Sequence, residues 1–548
     1  MTGERHEVIR DRCIGCRPCG STAPARPVSR RHLLAGTATG VAAALLGLGG
    51  ARALAAPVPA TGWTTATSRQ TEPLTLTLAL IGSPSDLDPH LSNDYRSALA
   101  IMGIYETLIA LKEDQTDEYV GLLAESWASN DDQSVWTFTL RDGVTFQNGD
   151  PCDAAAVRLS FERYMTVGSG AGPEWTRFVP SIDAITAPDP RTVVFDLGRP
   201  QPLFEAVAAA SYGPYVVNAA LLREHEEGGD WGRAWAQIDA AGCGTGPYAL
   251  AEFEPASLLR LTKSETWWGG PEAPAYTEVV MRVVPESATR RQLMEAGEID
   301  LTDALTPEDF DALKANPEVE VLQAPNTRID YLYLNPAGPL AAKEARQALS
   351  WAYPYQEVMD GIYQGYATQP YGFVAEMLRG FNPATFQYHT DLDKARELLT
   401  AAGVPDGTTL EYMLEPGDVL GKVAVQLFQA NLAEIGVQLT INEVETSSYV
   451  GVLYGDATPE ERPDIFVWAW WPSFNDAWSQ LNALVGCGMD GSAGGANFTG
   501  YCNDAVQTLL DKAVVADNQT DYDAALAEVQ QIITADDPPA IYYAQPLS

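Results

Sequence analysis

Leu122 to Met165 reads LLAESWASNDDQSVWTFTLRDGVTFQNGDPCDAAAVRLSFERYM, and this stretch decides the fold. From Val135 to Leu140 the residues alternate, with Trp136, Phe138 and Leu140 on one side and Thr137 and Thr139 on the other, the period of a half-buried strand. Asp142-Gly143 supplies turn chemistry that would send a second short run, Val144 to Phe146, back beside the first. Asn148-Gly149-Asp150 is another turn, and Asp153 is placed to cap a helix carrying Val157, Phe161 and Tyr164 on one face. The local expectation is hairpin, turn, helix.

The order of those residues says more than their period. An A-E-S-W stretch, a polar gap at Asp131-Asp132, a W-T-F-T-L strand, R-D-G-V-x-F, N-G-D-P and a capped helix resembles the family 5 extracellular solute-binding proteins, which deliver peptides, nickel and related ligands to ABC importers. Further matches follow in order. Upstream, Leu74, Leu76, Leu78 and Leu80 alternate as a first strand, then comes an L-D-P turn at Leu87-Asp88-Pro89 and a helix running toward Tyr105-Glu106-Thr107-Leu108. Downstream, Arg191 to Leu197 forms a strand before Pro200. Gly244-Thr245-Gly246-Pro247-Tyr248 opens into a strand and precedes Trp267-Trp268-Gly269-Gly270-Pro271; without a following Lys-Ser/Thr it is no phosphate loop. Gly297-Glu298-Ile299-Asp300 matches the family's exit from its first lobe, and Arg346-Gln347-Ala348-Leu349-Ser350 its R-Q-A-L-S helix. His389 to Gly403 matches its D-x-x-K-A-x-x-L-L-x-x-A-G helix with a glycine C-cap.

The resemblance spans roughly residues 72 to 548. It implies an α/β, two-lobed periplasmic-binding-protein fold of type II, in the large three-subdomain form called cluster C, closing on its ligand by a hinge. The division it implies puts residues 72–107, 201–305 and 519–548 in the core of the first lobe, 108–200 in a subdomain inserted there, and 306–518 in the second lobe. The final strand, Ala540-Ile541-Tyr542-Tyr543, is expected to return to lobe one.

Composition bounds the chemistry. The chain has 548 residues and a net charge of −39; the first 55 hold eight Arg and three acids, leaving −44 beyond them. That field repels polyanions, so nucleic acid and anionic membranes are excluded as partners. It suits solubility in a salty or acidic medium, or the attraction of cations. Only His90, His225 and His389 remain after residue 55, too few for a histidine metal cage, and no cofactor is expected.

Residues 1–55 read as a leader and export signal: Arg30-Arg31 ahead of an uncharged Ala/Gly/Leu/Val run to Gly50, then Ala53-Leu54-Ala55 as a small-residue cleavage site. The Arg pair is of the twin-arginine type. The run is short and Gly-rich for a bilayer span, and no Cys follows it for a lipid anchor. Residues 56–71 read as a Pro/Thr/Ser linker. Cys13, Cys16 and Cys19 have metal-ligand spacing but lie upstream of the signal and lack a fourth Cys. The expectation is an exported monomer at the outer face of the cytoplasmic membrane, without stable membrane insertion.

Four Cys remain, at 152, 243, 487 and 502, and allow three pairings. Cys487 with Cys502, around a Gly-rich loop, is one hypothesis, worth on the order of 3 kcal/mol.

The ligand chemistry is expected in the densest aromatic segment, Phe466 to Trp478, FVWAWWPSFNDAW. Trp468, Trp470, Trp471 and Phe474 either fill a core or line a cleft. In the family this stretch lines the cleft as W-x-x-D-x-x-D-P; the first Asp pairs with a peptide's free amino group and the second holds the loop. Here Ser473 stands at the first position and Asp476 at the second. A buried ammonium without a carboxylate is costly, so either another acid replaces the missing one or the ligand has no free amino terminus there. Tyr331 and Asn335, ending the strand IDYLYLN, complete the candidate set. A peptide or peptide-like ligand and an ABC permease are the implied partners, with oligosaccharide, opine or nickel chelate as alternatives. The W-G-x-P-Y-D-P stretch of nickel-binding members is matched only loosely by Trp470-Trp471-Pro472. A secreted hydrolase or a scaffold are the rivals of other classes. No H-E-x-x-H or G-x-S-x-G occurs, and the acid pairs Asp131-Asp132 and Asp536-Asp537 read as solvated surface.

Overall fold

The computed structural model describes residues 74–547 apart from 93, 113–114, 168–171, 271–273, 416–417, 456, 489–494 and 517. The export signal, the linker and the Cys13, Cys16, Cys19 run lie outside the described residues.

Three sheets organise the two lobes. The first has five strands in the order Leu301–Thr302, Thr75–Leu80, Glu278–Val283, Leu258–Lys263, Tyr248–Glu254. Thr75–Leu80 runs parallel to both of its neighbours and buries Leu76, Leu78 and Leu80, as its alternation requires. Gly297 ends the helix Ser287–Ala296 at φ 68°, a left-handed position that glycine occupies without strain. Asp300 then accepts a hydrogen bond from the Thr77 amide at 2.8 Å, which ties the exit from this lobe to its first strand.

The second sheet is antiparallel, in the order Ala124–Ser129, Val135–Leu140, Thr192–Asp196, Ile185–Asp189. Trp136, Phe138 and Leu140 are buried beneath the helix Ala154–Val167, which turns Val157, Phe161 and Tyr164 inward and is capped by Asp153, whose Oδ1 accepts from the Ala156 amide at 2.9 Å. One expectation fails here. Val144 to Phe146 does not pair with Val135–Leu140, because both edges of that strand are already taken, by Ala124–Ser129 and by Thr192–Asp196. The hairpin closes instead across Asn130 to Ser134; Thr145 only bridges Pro151 while Val144 and Phe146 bury into the core.

The third sheet runs Ala367–Thr368, Ala540–Pro546, Ile329–Leu334, Ile465–Trp470, Thr408–Leu414, Val437–Glu443. The C-terminal strand therefore does not return to the first lobe, contrary to the sequence expectation for 519–548. It pairs antiparallel with Ile329–Leu334, Tyr331 opposite Tyr542 and Tyr333 opposite Ala540. Its Ala540 to Tyr543 are buried, as an interior strand demands. Asp537, just before it, is not the solvated acid expected: it pairs with buried Arg346 and accepts from Asn503 at 2.9 Å, while Asp131, Asp132 and Asp536 are exposed. Among the described residues no helix is long and apolar enough to cross a membrane.

Candidate ligand cleft

The site grows from one pair of strands. Ile329–Leu334 and Ile465–Trp470 run antiparallel with Ile329 opposite Trp470, Tyr331 opposite Trp468 and Tyr333 opposite Phe466. Side chains alternate along a strand, so these six share one face. Tyr331 is fully buried there, edge-on to Tyr333 (centroids 5.0 Å apart) and Phe373 (4.7 Å). Trp468 is half-buried, parallel to Tyr449 at 6.3 Å and edge-on to Phe498 at 5.1 Å. Phe498 comes from the loop closed by the Cys487–Cys502 disulfide, so that crosslink braces the wall. Cys152 and Cys243 are free and buried.

Past Trp470 the chain leaves the sheet and meets the other lobe. Trp471 faces Tyr95 of the first lobe at 6.0 Å, with the Arg328 guanidinium 5.2 Å from its ring. Phe474 packs edge-on against Phe178, which follows the helix of the second sheet, at 6.0 Å. Asn475 donates to the Thr116 carbonyl at 3.0 Å. The segment 471–478 is thus the seam between the lobes.

Four sequence candidates turn away from any ligand. Tyr331 and Phe474 are packed in the core. Asn335 is a clamp: its amide donates to the Pro459 carbonyl at 2.7 Å and its oxygen accepts from the Ala337 amide at 3.2 Å. Asp476 has no exposed surface; it caps the helix Ala477–Val485 by accepting from the Trp478 amide at 2.8 Å, accepts from the Tyr522 hydroxyl, and stands 3.3 Å from Arg379. Burial pushes its carboxyl up to about 6 although Arg379, Tyr522 and the Trp478 amide favour the charged form. Trp468, Trp470, Trp471 and Ser473 remain half-buried, and the Ser473 amide donates to Ser479 Oγ at 3.2 Å.

Several residues of this region were not singled out from sequence. Tyr95 and Arg328 lie outside any motif, and only the fold brings them to Trp471. Arg328 pairs with buried Asp330, two residues on, and keeps 39% of its side chain exposed. The indole nitrogens of Trp468 and Trp470 on this wall are buried and have no hydrogen-bond partner among the described residues; the same holds for the amide atoms of Gln480 and Asn482 on the helix Ala477–Val485. Most buried polar groups find partners, so the two indole donors stand out on this strand. Among the described residues no group of three His, Cys, Asp or Glu is placed to hold a metal. An open hollow of about 620 Å³ between the helix Ala154–Val167 and the strand Ile185–Asp189 shares none of these residues.

Comparison with known proteins agrees with this architecture. The family model for the middle region of bacterial extracellular solute-binding proteins, family 5, matches residues 118–492. The probable D,D-dipeptide-binding periplasmic protein DdpA of Escherichia coli K12 is 30% identical over 84% of this chain and 86% of its own length. The glutathione-binding protein GsiB of the same strain is 25% identical over 82% and 85%. The periplasmic binding protein DppA of Helicobacter pylori, solved with the peptide STSA, superposes with a TM-score of 0.76 at 26% identity, covering 87% of this chain and 93% of that one. With two lobes meeting at an aromatic seam and a family match across most of both, this chain belongs to the bacterial extracellular solute-binding proteins, family 5.

Proposed function

We propose that this protein is the capture component of an ABC importer for peptides or peptide-like solutes, exported as a monomer and handing its ligand to a permease in the cytoplasmic membrane. The observation that carries the reading is the seam: Trp471 is half-buried where the two lobes meet, at the end of the strand that carries half-buried Trp468 and Trp470, in a chain whose relatives are named for D,D-dipeptides and glutathione. Hinge opening exposes this wall, and closure desolvates a ligand between aromatic faces and a few polar groups. The role is binding, and Asp330 and Asp476, among the described acids of this region, are engaged in a helix cap and ion pairs.

Thermal unfolding of the purified protein against di- to pentapeptides, oligosaccharides, opines and nickel chelates tests the reading. A ligand at 100 times its dissociation constant adds roughly 2.7 kcal/mol. A shift with peptides supports the proposal. A shift with sugars alone keeps the fold and mechanism and replaces the substrate, a reading that three tryptophans with few free charges would suit.

A further inference from the structure

We propose that the ligand presents hydrogen-bond acceptors, not an ammonium, to the Ile465–Trp470 wall, so that the site takes amino-blocked peptides, N-acylated or lactam-ended, in preference to free-amino ones. The inference rests on the peptide reading and names its substrate class.

The argument starts from donor chemistry. An indole N–H donates and never accepts, and Trp468 and Trp470 bring two such donors to one face of the wall, both buried and both without an acceptor among the described residues. A carbonyl or carboxylate oxygen satisfies the indoles; an ammonium does not.

The acids give the same answer. Ser473 takes the position to which the family resemblance would assign an amino-anchoring Asp, and Asp476 is wholly buried with Trp478, Tyr522 and Arg379 around its oxygens. Asp330 is held by Arg328. Asp303, on the first lobe beside Tyr95, takes the Tyr95 hydroxyl and faces Arg290 and Arg96, though its Oδ1 has no hydrogen-bond donor. An ammonium seated on these indoles would be a desolvated charge with neither Asp330 nor Asp476 free to pair with it. Asp303 is an acid on which a free amino group could be placed instead.

The test is calorimetric titration of the purified protein with matched pairs of alanine di- to pentapeptides, free and N-acetylated. The acetylated form is expected to bind at least tenfold more tightly. Trp470→Phe, which keeps an aromatic ring and removes the N–H, should weaken the acetylated peptide about tenfold; Trp468→Phe serves if that variant does not fold. Ser473→Asp should move the preference toward the free amine. Tighter binding of the free peptide, abolished by Asp303→Asn, would overturn the inference and leave the peptide reading standing. Binding of neither form would overturn both.

Discussion

Two buried polar clusters, one in each lobe, are built to opposite rules. In the first lobe Asp88, His90 and Arg163 are buried and complete: Arg163 spans both carboxylate oxygens of Asp88, donates to His90 Nδ1 at 2.9 Å and to the Trp231 carbonyl at 3.0 Å, while His90 Nε2 donates to the Tyr215 carbonyl at 3.0 Å. In the second lobe the indole nitrogens of Trp468 and Trp470, on one face of one strand, are buried and incomplete. The closed network ties the helix Ala154–Val167 to the loop after the first strand; the open donors are those the proposed ligand would engage. On that proposal the difference separates scaffold from site.

The largest effect should come from breaking the closed cluster. Arg163→Met leaves Asp88 charged and unpaired in the core, and urea unfolding should show a loss of about 3–5 kcal/mol. Next is the brace behind the open cluster: Cys487→Ser releases a crosslink between residues 15 apart and should cost on the order of 3 kcal/mol, with ligand affinity falling as Phe498 loosens from Trp468.

The two lobes should also differ in the sign of their response to acid. Burial, reinforced by Arg163, holds His90 down to about 3, so the folded state keeps it neutral while the unfolded chain takes a proton near 6.5. Its contribution is present above 6.5 and is lost as pH falls toward 3. Asp476 is raised to about 6 from 3.8, so the folded state binds its proton first; its contribution grows as pH falls from 6 toward 4 and is lost as pH rises through 6. Stability measured from pH 7 to 4 should therefore fall less steeply in His90→Gln than in wild type, and more steeply in Asp476→Asn. Equal slopes in all three would remove the contrast. The smallest effect is expected from Trp470→Phe, whose stability should stay within about 1 kcal/mol of wild type, because it deletes a donor that has no partner to lose.

Some of this was readable along the chain. The strand Val135–Leu140, the helix capped at Asp153 and the helix Leu392–Ala401 capped at Asp391 were legible because their causes lie within a few residues. The aromatic run Phe466 to Trp478 at the end of a strand was legible too. That its 471–478 part meets the other lobe was not. The resemblance gives Asp476 the position that holds the loop, but its partners Tyr522, 46 residues on, and Arg379 are found only in the fold.

Sequence by itself determined the family and most of the elements, since periodicity and capping act between near neighbours. Only the tertiary structure decided that Val144 to Phe146 has no strand to join, that the last strand enters the second lobe's sheet, and that Asn475 reaches Thr116 across 359 residues. Those outcomes depend on which hydrogen-bonding edge is still unoccupied when distant segments meet, a competition that local sequence does not encode.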